Sequence, residues 1–459
     1  MKTSFESGGT ARALPLTSWR MLADTVTVGG WTAVAKVAGA LKVILAARLF
    51  GTSDAMDAYL IAFLAPSFFI DVLAGPLDSA LVPSLIQARE RRSADSEEAL
   101  YSTVLAGAGA ALLAAALLAA ACSGWIVPGL GSGFPADKLS LTRHMFLPML
   151  LAVPLSGLSC TWRALLNSHR RFAFAAAVPA VTPLASIAAL LAFGKQYGVM
   201  ALVIGTVVGG ALEAVLSCVG AKRLGYPVVP RWSGLTPALR QVAAQYAPLV
   251  AITLVMTGST LVDQAMAARL APGSVATLSY GTRLLGVLIV IGPAAVGTAV
   301  LPHISTSAAL SDPASGRRHL RRYGLLVAAA IVPATAVLMY FSEPIIRVLF
   351  QQGAFSQTET HVVAGVQRAA LLQLPLTMLL ALEIRLTSAW KANQVLYRVA
   401  ALSLVLTFIL DAILMRWQGV IGIALAGAAT RLVSSLYLSC KIRSLRIPSY
   451  SVPAADGLT

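Results

Sequence analysis

The chain has 459 residues, of which 57% are hydrophobic and only 12% charged, and its formal net charge is +16. A mean hydropathy of +0.78 excludes an ordinary water-soluble domain and puts the chain in a membrane. The basic excess falls mostly on one side of the expected spans, with 21 basic residues against five, so it records topology and contact with anionic lipid and excludes nucleic acid as its reason.

A spanning helix needs roughly 20 mostly apolar residues. That length predicts about twelve, at 27–50, 58–87, 100–127, 142–166, 173–194, 198–220, 245–270, 275–306, 323–342, 362–389, 397–415 and 419–440. The longest runs must tilt or kink. The positive-inside rule puts both termini in the cytoplasm, and the polar first 26 residues lack the pattern of a cleavable signal. Cys122, Cys160, Cys218 and Cys440 fall in or beside apolar spans, which predicts packing thiols and no disulfide.

A repeat of about 220 residues runs through the spans. The string AARL occurs at 46–49 and 267–270, and Tyr59 returns as Tyr280, both at an offset of 221. Gly198 and Gly419 share that offset, and the pair SC at 217–218 returns at 439–440. The expected fold class is therefore an all-α polytopic membrane protein of two six-helix lobes around a central cavity. The predicted parts are a tail at 1–26, an N-lobe at 27–220, a linker at 221–244, a C-lobe at 245–442 and a tail at 443–459. The linker's end, LTPALRQVAAQY, reads as a short surface helix.

Charges inside the spans are costly, at least ~2.5–3.5 kcal/mol each at the bilayer centre, and usually face a cavity or a partner. The first span holds Lys36, Lys42 and Arg48; Arg48, at its end, can snorkel, whereas the two lysines read as cavity groups or members of ion pairs. Asp57, Asp71 and Asp78 in the second span lie on one stripe of an ideal helix, with Asp71 at the depth of Lys36 or Lys42. In the second half, Asp263, Thr407, Asp411 and Thr430 offer oxygen ligands for a small hard cation, unless Asp263 or Asp411 pairs with Arg269 or Arg431. Glu213, Glu383, Arg163, Arg368 and Arg385 read as packing pairs, and Trp162, Trp390 and Trp417 as interfacial anchors. No histidine cluster, P-loop or nucleophile elbow is evident, which ranks transport above catalysis.

Several stretches resemble the MviN/MurJ flippases of lipid-linked peptidoglycan precursors, within the superfamily that also holds the MATE exporters. The matching pieces are AARLFG followed by DAYLIAF, then ALVPSL, RALLNSHRRF, YGTRLLGVLIVIGPAAVGTAVLPHIS and IIRVLFQQGAFSQTET, across about residues 25–445. The resemblance implies two lobes that alternate between inward-open and outward-open states around a basic cavity that grips a diphosphate. It puts Lys36 and Lys42 where the family has cavity arginines in its first helix, Arg283 on the arginine of the eighth, and Asp57 on an aspartate of the second. It also implies a sodium site at Asp263, Thr407, Asp411 and Thr430, with sodium, protons or the membrane potential as candidate drivers and no other cofactor.

Three departures bear on the substrate. Ile70-Asp71 stands where the family usually has two arginines, Thr282 stands where it has an aspartate, and the chain stops after its twelfth expected helix, two short of the family's full set. The expected function is a flippase for lipid II or a related polyprenyl-diphosphate-linked saccharide in the bacterial inner membrane, with glycan-synthesis enzymes as candidate partners. The alternatives are an exopolysaccharide repeat-unit flippase, a MATE-like cation exporter and a non-transporting scaffold.

Overall fold

The computed structural model describes residues 16–90, 94–232, 234, 236–289, 313–390 and 392–444. The chain is an integral membrane protein, predominantly helical across these residues, and among them nine helical stretches are long and apolar enough to cross a bilayer. In lipid a helix is the economical solution, because it satisfies every backbone N–H and C=O within one segment. Large apolar side chains such as Leu118, Val215 and Leu436 remain exposed on the outside of the bundle, where they would meet lipid tails.

The first half runs α1 (Leu16–Phe50), α2 (Asp54–Phe69), a π-helical turn (Ile70–Ala74), α3 (Gly75–Glu90), α4 (Ala94–Ala121), α5 (Ser123–Leu130), α6 (Ala136–Met149), α7 (Ala152–Ser168), α8 (Phe172–Ala177), α9 (Val181–Tyr197) and α10 (Met200–Arg223). The second runs α11 (Pro237–Ala267), α12 (Ser274–Gly281), α13 (Pro313–Tyr340), α14 (Ser342–Phe350), α15 (Gln357–Leu371), α16 (Gln373–Ala389) and α17 (Asn393–Ser444). The eighth expected span begins as predicted, but its continuation through 290–306 lies outside the described residues, as do both tails.

Each expected kink has a local cause. Pro66 removes an amide from the helical ladder, and beyond it the chain makes the π turn Ile70–Ala74. The three aspartates of the expected stripe meet different surroundings: Asp71 projects exposed from the π turn, while Asp57 is buried and Asp78 accepts from Asn167 Nδ2 at 3.1 Å. The helix expected at the end of the linker is not separate. Thr236 caps its start, accepting from Leu239 N–H at 3.2 Å, Pro237 occupies the first turn, and α11 then runs unbroken to Ala267.

The repeat is visible in the backbone. Gly198 joins α9 to α10 with φ 56° and ψ −135°, and Gly419, 221 positions later, bends α17 into two spans with φ 58° and ψ −133°. No L side chain holds that conformation without strain. Trp162, expected at an interface, instead packs in the core with Tyr101 and is only 7% exposed, whereas Trp417 is 82% exposed.

One end of the bundle carries the linker. Arg89 forms a two-pronged pair with Glu97, at 2.8 and 3.1 Å, and donates to the Ser168 carbonyl at 3.1 Å. Tyr226 of the linker stacks edge-on against His169 and Tyr101, and burial holds the His169 imidazole below its ordinary pKa. Arg231 N–H donates to Ser102 Oγ at 2.8 Å, and Tyr246 in α11 donates to the Leu73 carbonyl at 2.6 Å. The linker and the start of α11 are thus tied to the first half.

Replacing Gly419 with alanine is expected to lower stability by ~1–3 kcal/mol, because nothing within 4 Å of the new Cβ offsets the backbone strain. The same change at Gly210, a helical position equally free of neighbours, should be neutral or gain up to ~1 kcal/mol. Thermal melting in detergent compares the two, and equal effects would contradict the strain argument.

Candidate functional site

Three cations from two elements lie along one stretch of the bundle. Lys36 and Lys42 lie on α1, one turn either side of Gly39, and a Cβ placed on Gly39 would be 3.9 Å from Arg283 Nη2. The guanidinium thus reaches α1 at the level between the two lysines. Lys42 Nζ lies 5.9 Å from the ring centre of Phe63 in α2. Lys36 and Arg283 are exposed, and among the described residues no carboxylate approaches any of the three within 4.0 Å.

Asp71 faces the same region from the π turn and feels the field of Lys36 without forming a close ion pair. The expected neutralising pair is therefore a longer-range interaction. Three cations and this one carboxylate leave a net charge of +2, presented between α1, the π turn and the helix carrying Arg283. Such a cluster suits a multiply charged anion: lysine supplies point charges and arginine a planar fork for oxyanions.

Asp57 is not brought into this group. Its carboxylate, 1% exposed, accepts from Lys138 Nζ at 2.9 Å, Gly273 N–H at 2.7 Å and Ala276 N–H at 2.8 Å. The last two amides open α12, so a first-half carboxylate caps a second-half helix and meets the positive end of its dipole. Lys138 is shared with Asp54 and sits 4.0 Å from the ring centre of Phe134.

Around Asp57 the two halves interlock through equivalent segments. The Ala354 N–H donates to the Arg48 carbonyl at 2.8 Å, Thr52 N–H donates to Glu359 Oε1 at 2.8 Å, and Tyr280 donates to the Gly51 carbonyl at 3.2 Å. The Thr52 hydroxyl also donates to Glu359, which closes a capping box with Ser356. On the other side Arg269 Nε donates to Ser132 Oγ at 2.9 Å. Arg48 and Arg269, like Phe134 and Phe355, are separated by 221 positions, so each half offers its first helix turn to a loop of the other. Only glycine fits where residue 353 crosses Arg48 and residue 133 crosses Ala268. This end of the bundle is sealed between the lobes.

Of the four residues expected in the second site, Asp263 in α11 and Asp411 in α17 lie in each other's field, and Arg431 acts on Asp263. Arg431 Nε itself donates to Gln373 Oε1 at 3.1 Å, so it is shared rather than bound to the pair. Thr407 donates to the Ser403 carbonyl at 2.9 Å. Both oxygens of Asp411, Oδ1 of Asp263 and the Thr430 hydroxyl are buried without a hydrogen-bond partner. Of the expected packing pairs, Arg163 meets Glu213 at 2.5 Å and Arg368 meets Glu343 at 3.4 Å, whereas the Glu383 carboxylate accepts from Ser435 at 2.9 Å and from Ser439.

Sequence reasoning missed Lys138, Thr52 and Glu359. The signal for Lys138 was a lysine just past Phe134-Pro135 at the depth of Asp57. Thr52 directly follows AARLFG and Glu359 lies within IIRVLFQQGAFSQTET, but their meeting across 307 positions has no local signature.

The architecture is that of transporters of the MOP superfamily. A solved structure described as the inward-facing conformation of a multidrug resistance MATE family transporter of that superfamily superposes with a TM-score of 0.66, at 13% identity over 90% of this chain and 95% of that one. A second, described as lipid II flippase MurJ in the inward closed conformation, reaches a TM-score of 0.77, at 23% identity over 92% of this chain and 89% of that one. The family model described as lipid II flippase MurJ matches residues 46–452, and the chain belongs to that family, whose members are transporters rather than catalysts. Relatives include the lipid II flippase MurJ of Burkholderia cenocepacia, 29% identical over 75% of this chain and 68% of its own length. The probable lipid II flippase MurJ of Buchnera aphidicola is 22% identical over 94% of this chain and 85% of its own length.

Proposed function

We propose that this protein flips a polyprenyl-diphosphate-linked saccharide, lipid II or a close chemical relative, across the bacterial inner membrane by alternating access, with both termini cytoplasmic. The observation that carries the reading is the convergence of Lys36, Lys42 and Arg283 beside Gly39, without a close carboxylate, in a chain of this family. With Asp71 included, the net +2 matches a doubly ionised diphosphate, so the loaded cavity would be near neutral. Near-neutrality matters because moving charge through the field costs or gains ~2.3 kcal/mol per charge per 100 mV.

In this reading the Asp57 end faces outward and is closed, so the substrate enters from the linker end. Anionic lipids would meet the basic residues there. Opening the outer end requires the Asp57 carboxylate to leave the α12 N-terminus and Thr52 to part from Glu359, while each lobe rocks largely as a rigid body. Membership of this family supports a flippase over a cation exporter. The three cations in the cavity support the same choice.

Asp263 and Asp411 supply the coupling. Two carboxyls in each other's field are costly to keep ionised and partnerless in a low dielectric, so a proton or a small cation between them would relieve both. The unpartnered oxygens of Asp263 and Asp411 support a sodium ion or a shared proton in that role. That charge would pull α11 toward α17. Replacing Asp411 with asparagine should leave the protein in the membrane but abolish the dependence of transport on the ion gradient. Unchanged sodium and pH dependence in proteoliposomes would remove the pair from the mechanism.

Lys42→Ala and Arg283→Ala should each cut flipping of a labelled lipid-linked saccharide by at least about tenfold, as loss of a charge-assisted contact to phosphate does. The assay is transfer to the outer leaflet in proteoliposomes at equal protein insertion. Full activity in both variants would defeat the assignment of the cavity.

A further inference from the structure

Asp71 is exposed within the membrane-spanning part of the protein yet has no close cation, so the ion-pair explanation does not account for it. It lines a cavity of about 230 Å³ with Ser67 and Phe68 of α2 and Thr257 and Thr260 of α11, between helices of the two halves. We propose that this cavity is a saccharide subsite, which takes the hydroxyl and amide groups of the sugar next to the diphosphate; the proposal rests on the flippase reading above.

The chemistry of the lining selects the ligand. Ser67 already donates its proton to the Leu64 carbonyl at 2.9 Å, so toward the cavity it offers an acceptor. The Asp71 carboxylate adds two more acceptor oxygens, and Thr257 and Thr260 can donate or accept. A niche so rich in acceptors repels phosphate and rewards neutral donors, which sugar hydroxyls supply in pairs matched to a carboxylate. Phe68 gives an apolar face for the C–H side of a pyranose ring. The π turn carries Asp71 at an exposed position, whereas Asp57, about four turns earlier, is buried against Lys138 and the start of α12.

Position agrees with chemistry. Asp71 feels Lys36, and Lys36 lies only three residues, about 4.5 Å along the axis, from the Gly39 contact with Arg283. A sugar joined directly to a diphosphate held by Lys42 and Arg283 therefore reaches the niche, while the polyprenyl chain departs on the other side.

The test titrates the full-length protein in detergent with undecaprenyl diphosphate, with undecaprenyl-diphosphoryl-N-acetylglucosamine and with tetraphenylphosphonium. The wild type should bind the sugar-bearing lipid about tenfold more tightly than the bare diphosphate, the increment of one charge-assisted hydrogen-bond set. Asp71→Asn should reduce that ratio to near one, and Thr260→Val, a milder change, should reduce it partway. A ratio unaffected in both variants overturns the subsite, as does tight tetraphenylphosphonium binding that Asp71→Asn abolishes. Equal binding of both lipids, weakened by Arg283→Ala, defeats the subsite and leaves the flippase reading standing. Binding of neither lipid defeats both.

Discussion

A carboxylate cannot be left alone inside a membrane protein, and the way Asp57 is satisfied organises the whole molecule. Its oxygens are divided among Lys138, from the first half, and two amides that open α12, from the second. Removing one member would strand a buried charge at a cost of about 3–5 kcal/mol, so at this end the lobes are held by a bond that strongly resists partial loss. Yet the partners are few and polar, and water entering between the lobes could replace each of them. That combination gives two discrete states rather than a gradual loosening.

The duplicated architecture doubles the device. Because Arg48 and Arg269 sit at matching positions, the C-terminal end of each half's first helix meets a loop of the other, and the seal is approximately symmetric about an axis through the bundle. At the linker end, among the described residues, Arg89, Glu97, His169 and Tyr226 hold the linker to the first half, and Tyr246 of α11 adds a bond to the Leu73 carbonyl. Among the described residues the Asp57 end therefore carries the denser set of polar bonds between lobes, the asymmetry an alternating-access cycle needs at this stage. The cations beside Gly39 lie between the two ends, so a bound anion would be carried past the pivot without being released.

Much of this was legible in the sequence where physics acts locally. Length and hydropathy gave the spans, and the 221-residue offset gave the two halves, down to the matching backbone angles at Gly198 and Gly419. Lys36 and Lys42 could be read as cavity groups or ion-pair members because bare charges in apolar helices have few other uses, whereas Arg283 entered only through the family resemblance. What escaped was long-range. The aspartate stripe gave no sign that Asp57 would be buried between lobes, Asp71 exposed and Asp78 bonded to Asn167. Asp57 looked like a cavity carboxylate because nothing near it in sequence announces Lys138 or the amides of α12.

Motion at the sealed end is the centre of this account, and one experiment addresses it directly. In a background without the four native cysteines, Thr52→Cys and Glu359→Cys place two thiols where the lobes meet. If the seal must open once per cycle, oxidation to the disulfide stops transfer of the lipid-linked saccharide in proteoliposomes, and reduction restores it, whereas either single variant is indifferent to oxidant. Undiminished transfer with the disulfide fully formed would show that the two halves never separate there, and the alternating-access account would fall.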